Sequence, residues 1–203
     1  AYAPSSPYAA SKASADHLVR AWQQTYRLPT LVTNCSNNYG PYQFPEKLIP
    51  LMISKAVRGS PLPVFGDGQH EREWLHVADH CAAIEMVLSK GQIGETYNIG
   101  SGEILSNWDV VMEICEILDD LQPRTNYQPY SELISFTDDR PGHDKRYALD
   151  SSRIRKELGW TPKISFAAGL RQTAEWYLKN TNWVDEVSLH YDGGRLGCPP
   201  TAR

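Results

Sequence analysis

The sequence predicts an α/β protein. Short β-branched or aromatic runs alternate with stretches of helical periodicity, which is the pattern of strands connected by helices. Residues 30–35 (Thr-Leu-Val-Thr-Asn-Cys) form a near-continuous run of the kind found in a buried parallel strand. No segment repeats within the chain, so a solenoid or propeller is not predicted.

The elements follow in order. Ser5 and Ser6 precede Pro7, giving a capping serine and a first-turn proline. A helix is predicted over 8–26, with Ala15, Leu18, Trp22 and Tyr26 on one face. Arg27-Leu28-Pro29 ends it, and residues 30–35 are a strand. Asn37-Asn38-Tyr39-Gly40-Pro41 reads as a loop. A helix over 46–57 stops at Gly59; 63–65 is a short strand and Gly66-Asp67-Gly68 a turn. Residues 72–77 read as strand, 78–88 as helix and 95–99 as strand. Ser106 caps a helix to residue 121 whose apolar stripe is Val110, Val111, Ile114, Ile117, Leu118 and Leu121. Residues 123–133 are Pro/Tyr/Ser-rich loop, and 146–149 a strand. Asp150 or Ser151 caps a helix over 153–158, and the last helix is 166–179. Periodicity is lost after Trp183, and Gly193 to Pro200 reads as an irregular tail.

Composition narrows the function. The 203 residues suit one to two domains, and 20 Lys plus Arg against 24 Asp plus Glu leave a net charge of −4. A mildly acidic chain without a basic run has no footprint for a phosphate backbone, so no nucleic-acid partner is expected. The longest apolar stretch, 48–53, is broken by Pro50, so no membrane span is expected either. Cys35, Cys81, Cys115 and Cys198 are scattered without C-x-x-C spacing, which suits thiols in a reducing compartment such as the cytoplasm. His76 and His80 are four apart, but Val77 stands where a zinc helix of the H-E-x-x-H type has Glu. The alternation over 73–77 ends a strand there, so the two would not share a helix face and no metal is predicted. There is no G-x-S-x-G elbow. The chain opens Ala1-Tyr2-Ala3-Pro4 without Met and runs directly into a motif, so a longer parent is expected.

That motif is Tyr8 and Lys12. At i, i+4 they share one helix face, one turn apart. A phenol with a pKa near 10 is a poor base, but an adjacent ammonium stabilises the phenolate. The phenol can then take a proton from an alcohol or sugar hydroxyl.

In context these residues carry a family resemblance. Residues 7–16 (Pro-Tyr-Ala-Ala-Ser-Lys-Ala-Ser-Ala-Asp), a strand, and then Asn37-Asn38-Tyr39-Gly40-Pro41 resemble the extended short-chain dehydrogenase/reductase family. Residues 44–50, 72–80, 95–100 and Asp139-Arg140-Pro141-Gly142-His143-Asp144 resemble the dTDP-glucose 4,6-dehydratases within it. The resemblance covers about residues 1–187, and the 139–144 block is its most specific part.

The resemblance implies the C-terminal part of an NAD-binding Rossmann domain (doubly wound parallel sheet), interleaved with a smaller α/β nucleotide-sugar-binding domain. Residues 1–40 and about 70–98 would be Rossmann, and about 41–69 and 99–187 mainly the substrate domain, with 188–203 the tail. It implies NAD as cofactor and dehydration of dTDP-glucose to dTDP-4-keto-6-deoxyglucose, with NAD recycled, in deoxysugar synthesis. Tyr8 would be the catalytic base. Lys12 would lower its pKa and hold the nicotinamide ribose, and Asn38 would lie near the nicotinamide. Asn37 would contact substrate, and Glu46, Lys47 and Leu48 would lie at the diphosphate and sugar, unless they simply open a helix. Pro63 and Phe65 match the strand at the thymine ring, although core packing suits Phe65 equally well. Arg72 and Asn107 match diphosphate ligands, and Arg140 and His143 the block closing over the nucleotide. A homodimer is implied, with Trp22 and Tyr26 as interface or as core residues.

Some family features have no counterpart. Gly66-x-Gly68 and Gly100-x-Gly102 lack the third glycine of a dinucleotide turn and do not follow a first strand. The glycine-rich turn and the adjacent Asp-Glu pair for dehydration would lie upstream of Ala1, so this piece alone is expected to be inactive. Another nucleotide-sugar epimerase or dehydratase of the family, or a non-catalytic nucleotide-sugar-binding protein, are the alternatives.

Overall fold

A computed structural model describes residues 2–139 and 142–189, and sixteen elements lie among the described residues. In order they are α1 (Pro7–Tyr26), β1 (Val32–Cys35), β2 (Asn37–Tyr39), α2 (Leu48–Val57), β3 (Leu62–Phe65), β4 (Glu71–His76), α3 (Val77–Lys90) and β5 (Thr96–Ile99). Then come β6 (Ile104–Ser106), α4 (Asn107–Leu121), a 3-10 turn (Tyr130–Leu133), β7 (Ile134–Thr137), β8 (Arg146–Tyr147), α5 (Ser152–Leu158), α6 (Phe166–Lys179) and α7 (Thr181–Val187).

The chain divides into two compact units that alternate along the sequence. The first takes the described residues up to Asn38, His70–Ile104 and Asp139–Ile164; the second takes Tyr39–Gln69, Leu105–Asp138 and the described residues from Ser165 onward. The sequence places 139–164 with the substrate domain, whereas the contacts group it with the first unit. The reason is packing: α5 lies on α3 and β5, and Ile154 and Trp160 join Leu75, Ala83, Val87, Tyr97 and Ile99 in one buried cluster.

In the first unit β1 and β5 pair in parallel, from Val32↔Thr96 to Cys35↔Ile99. β8 pairs in parallel with β4 through Glu71↔Arg146 and Arg72↔Tyr147. Ala83 and Val87, one turn apart on α3, supply the apolar face that packs on Leu75 of β4 and on Tyr97 and Ile99 of β5. Ser6 caps α1 by accepting from the N–H of Ala9 at 3.1 Å, with Pro7 in the first turn as expected. At the other end Arg27 adopts the left-handed conformation and its N–H returns to the carbonyl of Gln23. None of the 20 residues of α1 is buried. The stripe predicted as core or interface lies on the surface: Leu18 is 61%, Trp22 54% and Tyr26 68% exposed.

In the second unit β3 and β7 pair in parallel, Leu62↔Ile134 to Phe65↔Thr137, and α2, α4 and α6 pack on one another. The α4 stripe is buried at Val110, Val111, Ile114, Ile117 and Leu118, whereas Leu121 stays partly exposed at the helix end. Its start is a reciprocal capping box in which the Ser106 hydroxyl accepts from Asp109 N–H and the Asp109 carboxylate from Ser106 N–H. Gly68 has φ +76, and a Cβ there would meet Val64 Cγ1 at 2.9 Å and Trp108 Cβ at 3.1 Å, so the turn requires glycine.

Five details differ from the sequence expectation. Residues 37–39 form β2 instead of a loop, and β6, β7 and α7 are additional. The first three are three or four residues long and half exposed, so they lack a period to read and exist through partners distant in sequence. The strand expected at 146–149 is confined to Arg146–Tyr147. Beyond residue 189 the expected tail lies outside the described residues. Among the described residues no helix is long and apolar enough to cross a membrane.

Candidate active site

The first unit presents Tyr8 and Lys12 together. Tyr8 is 73% exposed, and the Lys12 ammonium lies 5.8 Å from its ring centroid. Helix geometry sets this: residues four apart stack one turn above the other. Neither the phenol oxygen nor the ammonium is engaged by a hydrogen bond among the described residues, so both polar ends face outward.

The end of β1 is near enough for the Lys12 charge to act on Cys35. Burial pushes the Cys35 thiol up, opposed by hydrogen bonding, including to the Asn38 side chain, and by the Lys12 charge. Asn38 donates its amide to the carbonyl of Ser36 at 2.9 Å, which fixes its side chain, and Asn37 beside it is half-buried. On β8, burial pushes the Tyr147 phenol up, with smaller contributions from Cys35, Tyr8, Asp144 and Glu73. Lys12, Cys35, Tyr8 and Tyr147 therefore share one electrostatic neighbourhood. Sequence reading missed Tyr147, because its strand is two residues long.

Arg72 and the segment before β8 form a second group. Arg72 is 8% exposed, and its guanidinium donates to the carbonyls of Glu71 and Asp144, both at 2.7 Å. The expected diphosphate ligand thus also holds backbone of the 142–145 segment. Asp144 in turn accepts from the Ser5 hydroxyl at 3.2 Å. Asp139 bridges two imidazoles: His70 Nε2 lies 3.2 Å from Oδ2 and His143 Nδ1 2.7 Å from Oδ1. His70, the member supplied from just before β4, was not singled out from the sequence. Arg140 lies outside the described residues.

Among the described residues, His70, Asp139 and His143 are the group whose ligand atoms come within 4.8 Å of one another. Their geometry argues against a shared metal. The two rings stack with centroids 3.8 Å apart and planes 18° from parallel. A metal must sit about 2.1 Å from each nitrogen, in the plane of its ring. Two planes this nearly parallel meet far from both rings, so as placed the three side chains form a carboxylate-bridged stack.

The second unit carries the other candidates. Glu46 and Lys47 form an ion pair at 3.6 Å just before α2, and Lys47 at the N-cap makes no side-chain capping bond. The Lys47 carbonyl accepts the N–H of Leu51 at 2.9 Å, so these residues do open α2, although without a side-chain cap. Leu48 is the first residue of α2 and half-buried. Pro63 and Phe65 lie on β3; Phe65 is 42% exposed, which removes the core alternative. Asn107 is the first residue of α4, behind the Ser106 cap, where helix N–H groups collect. So Tyr8, Lys12, Asn37, Asn38, Arg72 and His143 belong to one unit, and Glu46, Lys47, Leu48, Pro63, Phe65 and Asn107 to the other.

A sequence model of the GDP-mannose 4,6 dehydratase family matches residues 1–173. The dTDP-glucose 4,6-dehydratase of Salmonella typhimurium is 59% identical over 187 residues, covering 92% of this chain and 51% of that protein. The chain spans about half the length of the curated relatives it matches. Among solved structures, dTDP-glucose 4,6-dehydratase from Bacillus anthracis in complex with NAD is similar at TM-score 0.83 and 46% identity, over 92% of this chain and 57% of that one. DesIV, the dTDP-glucose 4,6-dehydratase of Streptomyces venezuelae, solved with NAD bound, is similar at TM-score 0.84 and 44% identity, over 92% and 55%. The Rossmann-type α/β fold expected from the sequence is the fold of these neighbours.

Proposed function

The chain belongs to the GDP-mannose 4,6 dehydratase family, and from that premise we propose that it forms part of a dTDP-glucose 4,6-dehydratase, a hydro-lyase producing dTDP-4-keto-6-deoxyglucose. The observation that carries this reading is the outward-facing Tyr8–Lys12 pair, in a chain 59% identical to a protein of that name.

NAD is the cofactor this reading requires, as in the two solved neighbours. The residues present fit its nicotinamide end: an uncommitted ammonium and phenol one turn apart, with an oriented carboxamide at Asn38. Lys12 and Asn38 would hold the nicotinamide ribose and ring. When bound, NAD supplies a two-electron acceptor that is regenerated within the cycle.

The work of the chain's own residues is proton management and binding. Tyr8 removes the proton of the glucose 4-hydroxyl, with the Lys12 ammonium one helix turn away, 5.8 Å from its ring centroid. With C4 also giving up two electrons to the cofactor when it is bound, the 4-keto group so formed would acidify the proton on C5 and allow water to leave across C5 and C6. Asn37, Glu46, Lys47 and Leu48 contact sugar and diphosphate. Arg72 and Asn107 bind the diphosphate, the guanidinium by charge and geometry and the carboxamide by hydrogen bonding, and Arg140 and His143 close over the nucleotide at the diphosphate. Phe65, exposed on β3 beside Pro63, offers a face to the thymine ring. The Leu18, Trp22 and Tyr26 face of α1 receives a second copy of the chain in a homodimer, and the cytoplasm is the compartment.

Incubation of the complete protein with dTDP-glucose, UDP-glucose and GDP-mannose, followed by mass spectrometry and NMR, tests this. Loss of one water from dTDP-glucose to give the 4-keto-6-deoxy sugar is the expected result. Inversion at C4 without loss of water would make it an epimerase, and tight binding of dTDP-glucose without turnover a binding protein.

A further inference from the structure

His70 stands at the start of the segment leading into β4, 73 residues before His143 in the sequence, yet the two imidazoles are face to face. Its side chain is 9% exposed and that of His143 4% exposed, while the carboxylate between them is 38% exposed. Each imidazole uses one nitrogen on that carboxylate, and each oxygen of Asp139 takes one of them. The second nitrogen of His70 is buried without a partner. With His70 neutral this leaves only a lone pair unmet, whereas a proton there would be an orphaned donor at higher cost. The tautomer carrying its proton on Nε2, aimed at Asp139, is therefore the favoured one.

Resting on the assignment of His143 to the nucleotide, we propose that His70 is a positioning residue. By stacking on His143 and sharing Asp139 with it, His70 fixes the orientation in which His143 meets the diphosphate of the dTDP-sugar. His70 acts through His143 and makes no contact with the reacting atoms. It sets nucleotide affinity and leaves the chemistry at C4 untouched. The burial of both rings explains why one constraint is insufficient: the stack fixes the ring plane and the carboxylate fixes rotation within it.

The test is a double-mutant cycle with dTDP as the probe, read by calorimetry on the complete protein, together with NMR of the His143 ring protons. His70→Ala should weaken dTDP binding about three- to tenfold in the native background, and by nothing further once His143→Ala is present, as required for a residue acting through another. Loss of binding of equal size in both backgrounds, or none in either, would overturn the proposal. The ring protons decide independently of any ligand. Ring current from His70 should hold them upfield, His70→Ala should release them, and His70→Phe, which preserves an aromatic face, should keep them upfield. His143 resonances indifferent to His70→Ala would also overturn the proposal. If unsubstituted protein failed to bind dTDP while the resonances responded as expected, the dTDP reading would fail and the positioning of His143 would stand.

Discussion

Glu73, buried on β4, accepts the backbone N–H of Gly102 at 2.7 Å on one carboxylate oxygen, while its other oxygen accepts the N–H of Leu149 at 2.8 Å. One side chain thereby joins the turn after β5 to the connection between β8 and α5. Gly100 packs directly on this carboxylate, and a Cβ there would collide with it. Glu73→Gln turns an amide donor toward a backbone donor, so a loss of about 1–3 kcal/mol in denaturant stability is expected. Gly100→Ala should destabilise as well, because the carboxylate cannot retreat without releasing an N–H. Unchanged denaturation midpoints in both variants would show that the carboxylate holds neither segment.

The histidines at the start of α3 make stability pH-dependent. Burial lowers His76 from its ordinary value of 6.5, with Asp79 partly opposing, and burial lowers His80. The unfolded chain therefore takes up these protons first. Their contribution is level above roughly pH 7.5, and stability falls as pH drops through 6.5 toward the folded values. His80→Gln should flatten that slope. Denaturant titrations across this range check the sign, which a rise in stability on acidification would reverse.

Cys115 and Cys81 should differ sharply toward alkylating reagents. Cys115 lies in the α4 core, where burial, reinforced by Asp119 and Glu116, pushes its thiol up to about 12. Cys81 is exposed on α3. Because the thiolate is the nucleophile, iodoacetamide at neutral pH should label Cys81 in the native chain and Cys115 only after unfolding. Peptide mass spectrometry reads this, and equal native labelling would contradict the burial of α4.

Trp22→Ala separates two roles for α1. Trp22 is 54% exposed, so the substitution should change stability by no more than about 0.5 kcal/mol. If the α1 face receives a second copy, the same change should move the sedimenting species toward the monomer. A large loss of stability without change in mass would instead mark Trp22 as a packing residue.

Much of the fold is legible because the longer helices announce themselves. Ser6-Pro7 opens α1, Ser106 caps α4, and the Val110-Ile114-Leu118 stripe is what the second unit buries. β7 is illegible since its four residues are only partly covered and are ordered by β3, whose first paired residue is 72 positions away. α7 is short and opens on Thr-Asn, with no side-chain cap to announce it. At the candidate site, Tyr8 and Lys12 are readable because one helix turn brings them together. His70 and Glu73 are not, because their partners at 139–149 and 100–102 are joined to them only by folding.

The central claim is that Tyr8 serves as the base for dTDP-glucose dehydration. Steady-state kinetics of Tyr8→Phe in the complete protein, paired with dTDP titration, tests it most directly. Removal of the phenol oxygen should lower kcat by about 10²- to 10⁴-fold, the range of a general acid or base, and leave dTDP affinity within about twofold, since Tyr8 touches no part of the nucleotide. Turnover equal to that of the unsubstituted protein would contradict the account.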